Sequence, residues 1–282
     1  MSIPCHNQQL QFIVDLAAAR TDFFNPIFRF LNYADTPYFI FILIPFIWIG
    51  LSWRWGVRLY YLIGINSMVN SCLKTLVGWP RPCADLPEVG MFCPMSFGFP
   101  SGAAQTCILL GALLIYTWKS RLSWVIALFY IAVVSFSRLY LGVHYPIDIL
   151  GGWAVGLILF GLYVVSIGPV ERFLHARRLE FCLALSLVLP FLLMALTPDP
   201  RYHRPDAFVV AIGVYLSLKY RLYAPIPKET WKKCVRGVIG VVGVFLIATL
   251  LPKEGSIFLK YASLGLWLSL IASPFCTRVF KL

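Results

Sequence analysis

One stretch of this 282-residue chain combines two cations with a stiff backbone. In KTLVGWPRP, Lys74 is followed seven residues later by Arg81, which stands between Pro80 and Pro82. Prolines on both sides favour a guanidinium held in one orientation, as bidentate binding of a phosphate requires. The stretch therefore indicates an anion site, although a lysine at a helix end can also extend to the lipid headgroups with no such role.

A second stretch, SRLYLGVHYPID, places Arg138, His144 and Asp148 close together in sequence. Pro146 suits the first turn of a helix, so His144 precedes that helix and Asp148 lies inside its first turn. Asp148 can then accept the Nδ1 proton of His144 and leave Nε2 free to attack. This is the arrangement of a nucleophile or base that a third group orients, whereas a lone histidine at a helix start is usually a cap.

Between these two stretches, GFPSGAAQT begins a long apolar segment with a Pro-Ser-Gly turn. The first amides of a helix have no intrahelical partner and carry the positive end of the helix dipole. Ser101 and Gly102 therefore predict a cradle for an anion, although the same turn also starts many helices that bind nothing. Ala103 follows directly, and its methyl side chain supplies no chemical group beside this cradle.

The segments that carry these residues are those of an integral membrane protein. The chain is 60% hydrophobic and 13% charged, with a mean hydropathy of +0.79, which excludes an ordinary soluble domain. A spanning helix needs roughly 20 mainly apolar residues, so we predict an all-α bundle of about nine transmembrane helices. An interfacial helix over residues 8–33, broken near Pro26, is predicted to precede it. The predicted spans are 37–53, 57–77, 102–118, 122–142, 146–168, 178–197, 206–223, 235–252 and 256–273.

The basic residues predict the orientation of the bundle. The chain has 24 lysines and arginines and a formal net charge of +12, but they cluster by loop, which indicates membrane topology and no nucleic-acid partner. Fifteen of them fall on one face, which is predicted to be cytoplasmic together with the C-terminus. The N-terminus and the active site then lie on the periplasmic or lumenal face. The outer face keeps Arg20, Arg29, Lys74, Arg81, Arg138, Arg201, Arg204, Lys253 and Lys260.

A charged loop, PVERFLHARRLE, separates two predicted parts of the chain. Residues 1–168 are predicted to form the core that carries the active site on its outer face. Residues 169–282 are predicted to be a C-terminal membrane extension of four spans. Within it, Gly237, Gly240 and Gly243 predict a face where helices pack closely.

The cysteines and histidines add little chemistry. Cys83 and Cys93 share an outer loop, where a disulfide and a pair of free thiols are equally open. The four histidines have no spacing typical of metal ligands, so neither a metal nor another cofactor is predicted.

Together, these residues resemble the type 2 phosphatidic acid phosphatase superfamily. Its motifs are Lys-x6-Arg-Pro, Pro-Ser-Gly-His and Ser-Arg-x5-His-x3-Asp. The chain has Lys74 to Pro82, Pro100 to Gly102 and Ser137 to Asp148 at the matching spacings and in the same order within residues 57–168. The resemblance implies that His144 is the nucleophile, forming a phosphohistidine, and that Asp148 orients it. The residues that it implies for holding the phosphoryl oxygens are Lys74, Arg81, Ser101, Gly102 and Arg138.

The predicted topology is more similar to the branch that includes glucose-6-phosphatase and sphingosine-1-phosphate phosphatase than to the six-span bacterial lipid phosphatases of the superfamily. In the superfamily, the position of Ala103 holds the histidine that protonates the leaving oxygen. The resemblance therefore implies a metal-independent phosphatase of phosphomonoesters whose general acid is missing in this chain.

Several alternatives stay open. The expected substrate is a lipid phosphate bound from the bilayer, with a sugar phosphate as the alternative. A catalytically inactive lipid-phosphate binder or transporter is the alternative function. Ala103 has two possible origins, a His-to-Ala change introduced into an active enzyme and a natural loss. The oligomeric state is not predicted.

Overall fold

The computed structural model describes residues 3–35, 37–196, 206–251 and 257–280. Within these ranges every regular element is helical, as expected for an all-α protein. Four of the predicted cytoplasmic and outer cations lie outside the described residues, namely Arg201, Arg204, Lys253 and Lys281.

Thirteen α-helices are described, and several continue into short 3₁₀ or π-helical turns. In chain order they are α1 (His6–Ala18), α2 (Phe24–Leu31), α3 (Pro37–Pro45), α4 (Trp53–Val77), α5 (Pro82–Asp85), α6 (Gly102–Trp118), α7 (Arg121–Tyr140), α8 (Pro146–His175), α9 (Leu179–Leu196), α10 (Asp206–Lys219), α11 (Thr230–Leu250), α12 (Ile257–Leu266) and α13 (Ala272–Val279).

The chain forms two compact units. The first combines Met1–Pro37 with Ile65–Gly168, and the second combines Tyr38–Gly64 with Pro169–Leu282. The first unit ends at the position predicted for the end of the core, but Tyr38–Gly64 belongs to the second unit. The functional division into residues 1–168 and 169–282 stays a prediction.

Within the residues that the structure describes, four helical segments are long and apolar enough to cross a membrane, as expected of an integral membrane protein. They are α7, α8, α11 and the segment Leu259–Val279. Three other apolar helices, Phe39–Leu51, Gly102–Trp118 and Leu179–Leu192, are shorter than that. The predicted number of nine spans is therefore not confirmed, because the apolar runs of the sequence include helices that are short or interrupted by polar residues.

The N-terminal segment forms two helices, and the break between them lies a few residues before Pro26, near which it is predicted. α1 ends at Ala18 and α2 begins at Phe24, so the break precedes the proline. Pro26 is the third residue of α2. A proline is tolerated there because the first-turn amides have no intrahelical partner to lose.

In the first unit, close packing of α6 against α8 brings the second and third motifs together. A Cβ at Gly152 would lie 2.5 Å from the carbonyl oxygen of Ser101, and a Cβ at Gly156 would lie 2.5 Å from that of Gln105. The small residues four apart thus let the two backbones approach. As a result, the Ser101 amide donates a hydrogen bond of 2.9 Å to the Asp148 carbonyl oxygen.

In the second unit, the predicted packing face of α11 is confirmed. A Cβ at Gly237 would overlap the Phe46 ring, and a Cβ at Gly243 would overlap the Trp267 ring. A Cβ at Gly240 would lie 3.0 Å from the Ile49 side chain. These glycines therefore let neighbouring helices pack against the α11 backbone.

Labelling of two exposed thiols tests the predicted orientation. Cys83 is only 4% exposed, whereas Cys5 and Cys234 are both exposed free cysteines. We predict that an impermeant maleimide labels Cys5 but not Cys234 in intact bacteria that carry the chain in the plasma membrane. Each of the two cysteines is kept in a variant that lacks the other free cysteines, so the experiment compares two exposed thiols one at a time. Labelling of Cys234 without permeabilisation would reverse the orientation.

Candidate active site

The predicted anion-binding residues lie in the first compact unit, and its loops hold them in place. Lys74, in the last turn of α4, is 6% exposed. Its Nζ donates hydrogen bonds to the carbonyl oxygens of Phe97 at 2.5 Å and Gly98 at 3.1 Å. The proline-rich loop before α6 therefore folds back over the lysine, and Lys74 is buried within the protein.

Arg81 is held from two sides. It is 5% exposed, and its Nε and Nη2 donate to the carbonyl oxygen and hydroxyl of Ser96 at 2.6 and 3.0 Å. Its Nη1 donates to the Val143 carbonyl oxygen at 2.8 Å and to His144 Nε2 at 3.0 Å. The guanidinium thus links the loop after α5 to the segment that carries His144.

The contact with Arg81 determines the tautomer of His144. An arginine cannot accept a hydrogen bond, so Nε2 must be the unprotonated nitrogen and Nδ1 carries the proton. Nδ1 lies 3.3 Å from Asp148 Oδ2, which also accepts the Tyr145 amide at 2.8 Å. The structure therefore brings His144 and Asp148 together in the orientation that the sequence predicts, with Nε2 facing Arg81.

Arg138 completes the cluster from the last turn of α7. It is 2% exposed, and its Nε and Nη2 donate to the Ser137 hydroxyl at 3.1 and 3.0 Å. Its Nη1 donates to Asn32 Oδ1 at 2.7 Å. An amide from the N-terminal segment therefore holds one of the predicted phosphate ligands.

Ser101 and Gly102 have structural roles at the start of α6. Ser101 is fully buried, and its hydroxyl oxygen accepts a hydrogen bond of 3.4 Å from the Ala104 amide as the N-cap of the helix. This bond uses a lone pair and leaves the hydroxyl proton available to a ligand. A Cβ at Gly102 would lie 3.1 Å from Asn70 Oδ1, so a glycine also allows close packing at this position.

Ala103 lies in an apolar cluster between α6 and α7. It is 3% exposed and packs with Cys107, Ile131 and Val134. Val134 is one helical turn before Arg138, so the two side chains share a face of α7. Position 103 is therefore packed among apolar side chains.

Sequence reasoning missed the part that the N-terminal segment takes in holding this site. Besides Asn32, Gln9 Oε1 accepts the Ile147 amide at 2.9 Å. Arg20 donates to the carbonyl oxygens of Tyr140 at 2.8 Å and Val89 at 2.6 Å. The signal in the sequence was the presence of amides and an arginine within a segment that was interpreted only as interfacial.

A buried amide network between α4 and α6 was also missed. Asn70 Nδ2 donates to the Pro100 carbonyl oxygen at 3.1 Å and to Gln105 Oε1 at 2.9 Å. Gln105 Nε2 donates to Asn66 Oδ1 at 3.0 Å. Asn66 and Asn70 are four residues apart and therefore lie on the same face of α4. This pair of amides within an apolar run could have indicated that one face of the helix is polar.

The loop between Arg81 and α6 is closed by a disulfide. Cys83 and Cys93 are bonded, with a Cα to Cα distance of 5.7 Å, which answers the question that their spacing left open. The cross-link lies close to Arg81 in sequence, so it restricts the loop that leads to the carbonyl oxygens around Lys74 and Arg81.

The surroundings of His144 keep its imidazole neutral. Burial, first of all, and then the positive charges of Arg81, Lys74 and Arg138 hold the pKa of His144 well below its usual range. Both effects act against the protonated form. A neutral imidazole with a free Nε2 lone pair is the form that can attack an electrophile.

A pH dependence of stability follows from this lowered pKa. Below about pH 6.5 the unfolded chain binds a proton at His144 that the folded chain does not bind, so stability is lost as the pH falls. We predict that the apparent Tm in detergent drops more between pH 7.5 and 5.5 for the unchanged chain than for His144→Gln. Equal drops would show that His144 titrates normally in the folded state.

The turn before His144 depends on a glycine. Gly142 has φ of +70°, and a Cβ there would overlap the carbonyl oxygen of Val89. Left-handed backbone costs a residue with a side chain about 1–3 kcal/mol, before the overlap is counted. We predict that Gly142→Ala lowers the apparent Tm by several degrees.

The matched control for this change is Gly161→Ala. Gly161 lies in α8, and a Cβ there would meet nothing within 4 Å. Alanine is the better helix former, so this variant should have an unchanged or higher Tm. A similar loss in both variants would contradict the strained turn before His144.

Comparison with known proteins gives a family match over the same region. Residues 55–171 match the sequence model described as the PAP2 superfamily. The chain is 26% identical over 190 residues to lipid phosphate phosphatase delta of Arabidopsis thaliana, covering 61% of this chain and 44% of that protein. It is 24% identical over 212 residues to sphingosine-1-phosphate phosphatase 2 of Mus musculus, covering 70% of this chain and 58% of that protein. The chain thus spans about half the length of these two relatives.

One solved structure shows a similar fold. It is the transmembrane PAP2 type phosphatidylglycerolphosphate phosphatase from Bacillus subtilis, with a TM-score of 0.51 and 22% sequence identity. The superposition covers 61% of this chain and 90% of that one. At this level of identity the likeness concerns the fold of the helical bundle.

Proposed function

We propose that this chain, whose residues 55–171 form a PAP2 superfamily domain, is a membrane phosphatase that acts on a lipid phosphate through a phosphohistidine intermediate. One observation carries the proposal. His144, with its Nδ1 proton held by Asp148, presents Nε2 at 3.0 Å from Arg81 inside a cluster of buried cations. The names of the plant and mouse relatives refer to lipid phosphate and sphingosine-1-phosphate, which supports an amphiphilic phosphate as the substrate class.

The cations are suited to a phosphate dianion. Lys74, Arg81 and Arg138 are all buried, and each now donates to neutral oxygen or nitrogen acceptors. A phosphoryl group offers the same charged donors a charged acceptor, and the planar guanidinium groups of the two arginines suit bidentate contacts with it. The Ser101 hydroxyl proton supplies a further donor at the start of α6.

Binding of the phosphate would also free the nucleophile. In the structure, Arg81 Nη1 occupies the lone pair of His144 Nε2. When a phosphoryl oxygen takes that N–H, Nε2 can form a bond to phosphorus, and the positive charge that develops on the imidazole is offset by Asp148. The role of Asp148 is therefore orientation and charge compensation through Nδ1.

The missing step is proton donation to the leaving group. Ala103 cannot donate a proton, and neither can its packing partners Ile131 and Val134. An alkoxide leaving from a phosphomonoester needs that proton, whereas a leaving phosphate is already a stable anion. The chain as written should therefore bind monoesters and hydrolyse them slowly.

The same proposal includes the side of the membrane on which the reaction takes place and the division of the chain into two functional parts. The positive-inside pattern supports an active site on the periplasmic or lumenal side and a cytoplasmic C-terminus. Residues 1–168 would then carry the chemistry, with residues 169–282 as a membrane extension.

A second candidate function has one observation in its favour. A lipid-phosphate binder or transporter needs the cations but not a general acid, and Ala103 fits that function. It does not need the contact of 3.3 Å between His144 and Asp148, which serves the orientation of a nucleophile.

Restoring the acid tests the proposal. We predict that Ala103→His raises kcat/KM for a lipid phosphomonoester by about 10²–10⁴-fold, the usual effect of a positioned acid. The gain should be much smaller for the matching lipid diphosphate. Because position 103 is tightly packed, the variant is also made together with Val134→Ala, which provides room for the ring.

The control is His144→Ala in the Ala103→His background. Removal of the nucleophile should abolish hydrolysis to the detection limit, while Asp148→Asn should leave a small residue of activity. If neither of the two Ala103→His forms hydrolyses any phosphate, the phosphatase proposal fails and the binder takes its place.

A further inference from the structure

Three polar side chains in the first unit meet at one point and have no role in the function proposed so far. The Tyr145 hydroxyl donates a hydrogen bond of 2.6 Å to Asp85 Oδ2. Nε2 of His6 lies 3.0 Å from the same carboxylate oxygen and 3.0 Å from the Tyr145 hydroxyl oxygen. A carboxylate can only accept hydrogen bonds, so Nε2 of His6 carries a proton and donates. His6, Asp85 and Tyr145 form what we call the Tyr145 cluster.

The Tyr145 cluster joins three separate parts of the chain. His6 is the first residue of α1, Asp85 is the last residue of α5, and Tyr145 directly follows His144. The His6 and Asp85 side chains are 37% and 23% exposed, whereas Tyr145 is fully buried. The cluster therefore runs from the surface of the first unit to the segment that carries the predicted nucleophile.

Tyr145 is held at both of its ends. Its backbone amide donates to Asp148 Oδ2 at 2.8 Å, and the same oxygen lies 3.3 Å from Nδ1 of His144. Its hydroxyl is held by Asp85, and its ring packs in an apolar cluster between them. A shift of the ring away from Asp85 would therefore also move the amide that holds the Asp148 carboxylate.

The hydroxyl of Tyr145 keeps its proton. Burial, first of all, and then the hydrogen bond to Asp85 raise the pKa of Tyr145. Both effects act against the phenolate form. The hydroxyl is therefore a donor to Asp85 at neutral pH, and this end of Tyr145 stays fixed.

From these contacts, and resting on the phosphatase function proposed above, we propose that Tyr145 and Asp85 are positioning residues for the attack of His144. His6 supports them from the N-terminal segment. They act through the Tyr145 amide, which is the second donor on Asp148 Oδ2 and so fixes the carboxylate that holds the Nδ1 proton of His144.

Such a role affects the rate of attack and not the binding of phosphate. The predicted phosphate ligands Lys74, Arg81 and Arg138 are held by other acceptors, on the loop before α6 and on α2 and α7. Loss of the Tyr145 hydroxyl leaves those contacts in place. A general loss of structure, in contrast, would weaken binding and rate together.

The test is Tyr145→Phe in the Ala103→His background, which removes the hydroxyl and keeps the ring in its apolar cluster. We expect kcat for a lipid phosphomonoester to fall by about 10-fold or more, because a small misplacement of a reacting group costs up to about 10²-fold. The inhibition constant of inorganic phosphate should stay unchanged. His6→Gln, which retains an N–H donor, should keep more of kcat than His6→Ala.

The control is Tyr60→Phe in the same background. Tyr60 is also buried, and its hydroxyl donates to Asp206 Oδ2 at 2.6 Å, but this pair belongs to the second unit. The control therefore removes the same kind of hydrogen bond and should leave kcat unchanged. An unchanged kcat in Tyr145→Phe, an equal fall in Tyr60→Phe, or an equal weakening of phosphate binding would overturn the positioning role.

Failure of the phosphatase proposal shows differently, as absence of hydrolysis in every Ala103→His form. The link through Tyr145 is then measured by hydrogen exchange of peptides that contain the Tyr145 amide. Faster exchange in Tyr145→Phe than in Tyr60→Phe would support the link from Asp85 to Asp148. Equal exchange in the two variants would overturn it.

Discussion

The burial of three cations around one imidazole is the constraint on which the rest of the first unit depends. Lys74, Arg81 and Arg138 are each at most 6% exposed, and removing a charge from water is costly unless it is hydrogen-bonded or paired. Backbone carbonyl oxygens accept hydrogen bonds from Lys74 and Arg81, and side-chain oxygens accept those of Arg138. Asp148 is the only carboxylate with a described contact to His144, so the cluster keeps an excess of positive charge that suits a phosphate dianion.

The loops and the N-terminal helices can be understood from this need for acceptors. The proline-rich loop before α6 supplies carbonyl oxygens to Lys74 and Arg81. The N-terminal segment supplies the amide of Asn32 to Arg138. Positive charge and burial in turn keep His144 neutral, with its pKa well below the usual range. The arrangement that supplies hydrogen-bond acceptors to the cations therefore also keeps His144 in the neutral form that can act as a nucleophile.

The sequence predicted the members of this cluster because they belong to short motifs of charged and reactive residues. Pro146 and the spacing of His144 and Asp148 were enough to predict the contact that the structure places at 3.3 Å. The recognition of the superfamily is confirmed by the match over residues 55–171.

The long-range partners could not be predicted in the same way. Asn32 and Arg138 are far apart in sequence, and nothing local pairs them. The number of spans was also not confirmed, because hydropathy counts apolar residues and does not show where a helix begins or ends. The break before α2 lies a few residues before Pro26, because a proline in the first turn of a helix does not itself interrupt that helix.

The central claim is that His144 is a nucleophile held ready in a site that lacks its acid. It is tested most directly by mass spectrometry of the chain after reaction with a lipid diphosphate and a quench in base, which preserves phosphohistidine. The account predicts a phosphoryl group on His144, which persists because no group at position 103 assists the attack of water, and which is absent in His144→Gln. Release of inorganic phosphate with no phosphoryl group on His144, or with one on another residue, would contradict it.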